Sequence, residues 1–355
     1  MMQRIFFAML IFVPLTFAAE HFHFSPIAVM ALACLGIIPV AKFMGEATEH
    51  MSHKVGPTVG GLVSATFGNA CELIIAFFAL RAGMIDVVKA SITGSIIGNL
   101  LLILGASMLV GGLKFKEQKF NAMTARTAAT VMTIMSMALM MPAAAHHMSG
   151  QTSMLGDESM ALGIGGVLLV LYCAGLFFNL KTHRHLFTPV ADSAEDPHDM
   201  TTSWSMTKSL VVLIAATLTV VFLSEALVDN VGEAAKTMGM TPVFMGVILL
   251  AIIGNAAENS TAIIMAHKGK MDLSINIAFG SSMQIAMFVA PVLVIAGYFM
   301  GQPMNFVFSE AEILAVFASA IVMKGIVEDG KSNWLEGLYL LGLYTIVGIT
   351  FYFLR

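Results

Sequence analysis

The chain has 355 residues, 58% of them hydrophobic and 11% charged, with a formal net charge of −4 and a mean hydropathy of +0.86. Soluble domains carry about 25% charged residues, so this chain lacks the polar surface needed in water and is expected in a lipid bilayer. The small net charge and the lack of a basic, aromatic-rich stretch argue against a nucleic-acid partner. Cys34, Cys71 and Cys173 show neither disulfide nor metal spacing.

A helix needs about 20 apolar residues to cross the hydrocarbon layer. Taken in chain order, such runs fall near 4–19, 26–44, 57–80, 87–112, 124–145, 159–180, 208–229, 240–265, 273–300, 307–325 and 334–354. The pattern predicts an all-α membrane protein with eleven transmembrane helices. The first run, with Arg4 ahead of it and Thr16-Phe17-Ala18-Ala19 at its end, also has the form of a signal peptide; a retained helix is the favoured alternative.

If successive loops alternate sides, one side holds only Arg81, Lys89, Lys236 and Arg355, and the other holds the remaining 14 of the 18 basic residues. The positive-inside rule then places the N-terminus in the cytoplasm and the C-terminus outside. The expected location is a prokaryotic cell (inner) membrane. The longest polar stretch, 181–207, opens with His183-Arg184-His185 and continues through Asp192, Glu195, Asp196, His198 and Asp199. It is expected to be a cytoplasmic acidic and histidine-bearing linker.

The halves on either side of that linker align at a constant offset of 186. Gly68-Asn69-Ala70-Cys71-Glu72 falls on Gly254-Asn255-Ala256-Ala257-Glu258, Gly83 on Gly269, Asp86 on Asp272, Gly94 on Gly280 and Ser95 on Ser281. Prolines Pro57 and Pro242 open the two motif-bearing helices, a position that suits the residue. The domain reading is therefore an N-terminal helix outside the repeats (1–25), a first five-helix repeat (26–180), the linker (181–207) and a second five-helix repeat (208–355). Five is an odd number, so the second copy enters the membrane from the opposite side. Inverted repeats with the site near the bilayer midplane are a transporter architecture.

The repeated motif carries the chemistry. Glu72 and Glu258 lie well inside their runs, where a charge costs at least about 2.5–3.5 kcal/mol and is usually functional. Asn69 and Asn255 precede them by three residues, on the same helix face, and Gly68 and Gly254 permit a kink or unwinding that frees backbone carbonyls. Carboxylates, amides and carbonyls form an all-oxygen set suited to a hard cation such as Ca²⁺. The helix after each motif adds polar groups, of which Ser95, Ser281 and Gln284 are the supporting ligand candidates. Two bare carboxylates in low dielectric are penalised, and one divalent cation or two protons would neutralise them. The site is thus expected to exchange Ca²⁺ for protons, with Glu72 and Glu258 as the proton-coupling groups. Glu46, Glu49 and His50 after the second run, and Glu225 and Asp229 in the seventh, are candidates for an access path.

These residues resemble the calcium/proton exchanger family of the calcium/cation antiporter superfamily. The resemblance runs from about residue 26 to the end. It rests on the two motifs together with Gly280-Ser281-Ser282-Met283-Gln284-Ile285, Asp329-Gly330-Lys331-Ser332-Asn333-Trp334-Leu335-Glu336-Gly337 and Lys181-Thr182-His183-Arg184-His185. It implies eleven helices, a first helix outside the repeats, and Glu72 and Glu258 as alternately exposed carboxylates. Two positions depart from the family pattern: Cys71 replaces a Thr or other small residue, and Asn259 replaces the His that follows the second motif in many members. The expected partners are Ca²⁺, H⁺ and the lipid bilayer, with room for a homo-oligomer. No cofactor and no enzymatic activity are expected. A Na⁺- or K⁺-coupled exchanger of the same architecture is the alternative reading; a channel and an intramembrane hydrolase fit less well, the latter for want of a His-Glu-x-x-His motif or paired aspartates.

Overall fold

The computed structural model describes residues 2–149, 154–182 and 204–354. The linker's His183, Arg184, His185, Asp192, Glu195, Asp196, His198 and Asp199, and also Arg355, lie outside the described residues. The helices are α1 (Met2–Met9), α2 (Phe12–His21), α3 (Pro26–Val55), α4 (Pro57–Phe67), α5 (Ala70–Arg81), α6 (Ile85–Lys114), α7 (Ala122–Ser149), α8 (Met154–Phe177), α9 (Met206–Met238), α10 (Pro242–Gly254), α11 (Ala256–His267), α12 (Met271–Met300), α13 (Glu310–Ile326) and α14 (Trp334–Phe353). The only described strands are β1 (Gln118–Lys119) and β2 (Lys331–Ser332), which pair antiparallel.

Every expected apolar run is helical over most of its length. Among the described residues eight helical stretches are long and apolar enough to cross a membrane, with α1 and α2 counted together as one, or nine if the bent pair α10–α11 also counts as one span. The difference from eleven lies in two places. The 57–80 run is interrupted into α4 and α5, of 11 and 12 residues, and α13 has only 17 residues. The run at 26–44 extends much further than its apolar part. The helix continues to Val55 and stops where Gly56 takes φ +85° ahead of Pro57, because Glu46 and Glu49 are compatible with helix though not with lipid.

Element boundaries repeat at the spacing seen in the residues. Helices α5 and α11 begin and end 186 positions apart, as do α6 and α12. Each of the longer pair contains a π-helical stretch, Gly98–Ile103 in α6 and Ile285–Val289 in α12. The turns before them contain Gly83 at φ +74° and Gly269 at φ +80°, a backbone region that glycine enters without steric cost.

The chain forms two compact units. The first comprises Met1–Ala82, Gly175–Pro242 and Ile253–Ala257. In it α3 and α9 pack along each other, with Gly36 against Leu223 and the Thr217 hydroxyl 3.8 Å from the Met44 sulfur. The N-terminal pair lies on these two helices: Phe7 meets Phe43, and Phe17 stacks on Phe222 at 3.4 Å. Pro14 has no N–H to offer the carbonyl of Leu10, and the helix is broken at Leu10–Ile11.

The second unit comprises Gly83–Ala174, Val243–Ile252 and Glu258–Arg355. Its helices cross at glycines. A side chain at Gly94 would run into the backbone of Val247, and one at Gly246 would meet Ala90 Cβ at 2.7 Å and the Val87 carbonyl at 2.9 Å. Gly105 and Gly337 make the equivalent close approach between α6 and α14. Small residues let helices approach in lipid, where packing replaces the hydrophobic drive. At the end of this unit Lys331 of β2 pairs with Glu117, the residue before β1, at 2.6 Å, and the hydrogen bond to Glu117 holds Lys331 above the usual lysine range.

Candidate functional site

Both repeated motifs fall at helix breaks. Gly68 and Asn69 form a turn between α4 and α5, with Asn69 at φ −105°, ψ 24°, and Asn255 is the turn residue between α10 and α11, whose axes differ by 61°. The expectation of a kink therefore holds. The placement of Asn69 and Asn255 on a helix face with the glutamates does not: the asparagines sit in the breaks, and Glu72 and Glu258 lie in the first turns of the helices that follow. The cause is the glycine before each asparagine, which weakens the helix one residue ahead of it. A broken helix of this kind presents the positive N-terminal end of one half and the carbonyl end of the other at one depth.

Asn69, Asn255 and Glu72 are each at most 6% exposed, whereas Glu258 is partly exposed. Within the first compact unit the two motifs meet. A Cβ built on Gly254 would lie 3.1 Å from Glu72 Cγ, so the backbone of the second motif rests directly on the glutamate of the first.

The supporting groups are brought together in part. Ser95 and Ser281 are buried and Gln284 is partly exposed. The Asn99 amide donates to the Ser281 hydroxyl at 3.0 Å, joining α6 to α12. Gly68 is partly exposed and Gly254 buried. Among the access candidates, Glu49, Glu225 and Asp229 are exposed, and Glu46 pairs with Lys42 at 3.3 Å. Glu49 also lines a cavity of about 450 Å³ with Ser52, His53 and Ser64, beside Gly60 and Gly61. Among the described residues no group of three or more His, Cys, Asp or Glu side chains is placed to hold a metal ion. A cation at the motifs would therefore draw on amide, hydroxyl and carbonyl oxygens as well as carboxylate.

Sequence reasoning missed a buried acid. Glu312, 4% exposed, accepts from the Thr93 hydroxyl at 2.9 Å and from the backbone N–H and hydroxyl of Ser309 at 2.9 and 2.7 Å. Beside it Lys89 donates to Asn305 Oδ1 at 2.6 Å and to the Val307 carbonyl at 2.8 Å. The available signal was Ser309-Glu310-Ala311-Glu312, a capping box directly ahead of an apolar run.

Comparison with known proteins follows the same features. The model of the family described as "Sodium/calcium exchanger protein" matches residues 25–181 and 208–353. The chain belongs to this family. It is 45% identical over 361 residues to a "Ca(2+)/H(+) antiporter" of Aphanothece halophytica, covering 99% of this chain and 97% of the relative. It is 43% identical to the "Ca(2+)/H(+) antiporter ChaA" of Bacillus subtilis, covering 99% and 100%. Among solved structures, native YfkE superposes with a TM-score of 0.85 at 39% identity, covering 98% of this chain and all of that one. The "H+/Ca2+ Exchanger CAX" shares the fold at a TM-score of 0.72 and 14% identity, covering 99% and 92%. The membrane-exchanger fold and the multi-pass helical character of the family thus extend across both motif-bearing halves.

Proposed function

We propose that this protein is a secondary antiporter that exchanges cytoplasmic Ca²⁺ for protons, with Glu72 and Glu258 as the carboxylates that take either ion. The observation that carries the reading is the meeting of the two motifs at Gly254 and Glu72, a contact between segments 186 residues apart in equivalent places. Relatives at 43–45% identity bearing the name Ca(2+)/H(+) antiporter support the choice of ions.

The mechanism follows from charge. Two carboxylates in low dielectric are neutralised by one divalent cation or by two protons. In the proposed cycle only the neutralised forms reorient across the membrane, so Ca²⁺ moving one way obliges protons to move the other. Asn69 and Asn255, with carbonyls at the helix breaks around Gly68 and Gly254, complete the oxygen shell; Ser95, Ser281 and Gln284 support it. Glu46, Glu49, Glu225 and Asp229 draw cations toward the site. Inversion of the repeats supplies two alternating arrangements of similar energy, with the N-terminus on the cytoplasmic side.

The test is Ca²⁺ uptake into proteoliposomes driven by an imposed pH gradient, with and without Na⁺. Uptake is expected without Na⁺ and is expected to vanish in Glu72→Gln and in Glu258→Gln. Uptake that requires Na⁺ or K⁺ would replace protons as the coupling ion, and uptake unchanged in both variants would remove the glutamates from the site.

A further inference from the structure

The N-terminal helix pair leaves a groove on the first compact unit that the exchange cycle does not use. Its volume is about 570 Å³, and it is bounded by Phe7 and Pro14 on one side, Phe43 beneath, and Ala215 on α9. Lys208 and Trp204 stand at one end and Thr219 at the other. From Lys208 to Thr219 the helix rises about 16 Å, close to the depth of one leaflet of a hydrocarbon layer about 30 Å thick. Leu10, at the break in the N-terminal helix pair, lines this space.

The polar end is asymmetric in charge. The Lys208 ammonium lies 4.3 Å from the centre of the Trp204 ring and has no carboxylate partner among the described residues, whereas Lys42, deeper in the same unit, is matched by Glu46. His50 stacks on the Trp204 ring at 4.9 Å and helps to fix the indole in place. A tryptophan at the end of an apolar stretch marks headgroup depth. An ammonium beside it complements a negative headgroup.

We propose that this groove is a binding site for an anionic phospholipid, with an acyl chain along Phe43 and Ala215 and the headgroup phosphate on Lys208. One basic side chain near the surface is worth about 1 kcal/mol toward anionic lipid, or about fivefold.

The sequence has two tryptophans, Trp204 and Trp334, so Trp334→Phe leaves Trp204 as the sole reporter. This variant would be reconstituted in phosphatidylcholine vesicles containing increasing fractions of brominated phosphatidylglycerol or brominated phosphatidylcholine, and its fluorescence quenching followed. Quenching by the anionic lipid is expected to saturate at about fivefold lower mole fraction. Adding Lys208→Gln should abolish the preference, and Lys208→Arg should retain it. Ala215→Phe, which fills the groove, should weaken quenching by both lipids. Equal quenching by the two lipids would indicate ordinary bilayer contact, and quenching by neither would indicate that protein covers the groove; either result overturns the proposal.

Discussion

Gly254 lies against the side chain of Glu72, close enough that an added Cβ would stand 3.1 Å from Glu72 Cγ. The glycine thus has two functions, permitting the break at Asn255 and leaving room for a carboxylate in the other motif. Gly254→Ala is expected to push the Glu72 side chain aside by a few tenths of an ångström. Overpacking of this kind costs about 1–3 kcal/mol, so Ca²⁺ uptake should fall about tenfold with little change in expression. Gly280→Ala is the control, because no atom lies within 4 Å of its added Cβ. Equal activity in the two variants would mean that the contact has no part in transport.

The Gly94-Ser95-Ile96-Ile97-Gly98 segment supplies a second contrast. In sequence its two glycines are equivalent members of a small-residue pattern. In the structure a Cβ on Gly94 meets the backbone of Val247, and one on Gly98 meets nothing within 4 Å. Gly94→Ala is therefore expected to destabilise the protein by about 1–3 kcal/mol. Gly98→Ala should be neutral or stabilising by up to about 1 kcal/mol through helix propensity. Thermal unfolding in detergent, followed by retention of monodisperse protein, measures both. Equal losses would show that the crossing does not depend on Gly94.

These glycines show what the residues alone convey. The offset of 186 anticipated that α5 and α11 share their boundaries, because the same breaker residues recur at the same places. Apolar run length anticipated the positions of the helices for the same reason. It could not show that Asn69 and Asn255 leave the helix, because their spacing from the glutamates is also compatible with one continuous face. Nor could it distinguish Gly94 from Gly98, because that distinction belongs to the neighbouring helix. The Glu46–His50 segment was placed beyond its helix because hydropathy marks where lipid ends, not where hydrogen bonding does.

Glu312 gives a prediction about stability. Its two oxygens serve different partners, Thr93 on α6 and the Ser309 cap on its own helix. Thr93→Val removes one hydrogen bond and should cost about 1 kcal/mol. Glu312→Gln disturbs both partners and should cost about 1–2 kcal/mol. Because the residues share a bond, the double variant should cost less than the two losses added together, with a coupling of about 0.5–1.5 kcal/mol. Additive losses would show that the Thr93 bond contributes nothing.

Asn259 directly follows the second motif's glutamate. Its amide nitrogen reaches the Ile252 carbonyl only at 3.5 Å, and its oxygen is buried without a hydrogen-bond partner. As an amide it stays uncharged at every pH. A histidine there would not, because imidazole gains a proton near pH 6.5. Asn259→His is therefore expected to add an acidic limb to the profile of Ca²⁺ uptake against pH. Above about pH 7.5 the neutral ring should leave uptake close to that of the parent. Below about pH 6 the imidazolium beside Glu258 should repel Ca²⁺ and raise the Ca²⁺ concentration needed for half-maximal uptake about three- to tenfold, on the scale of a partly screened charge pair. Uptake would be measured at equal pH gradients across a series of absolute pH values, so that driving force stays constant. Parallel profiles for parent and variant would mean that residue 259 does not face the transported ion.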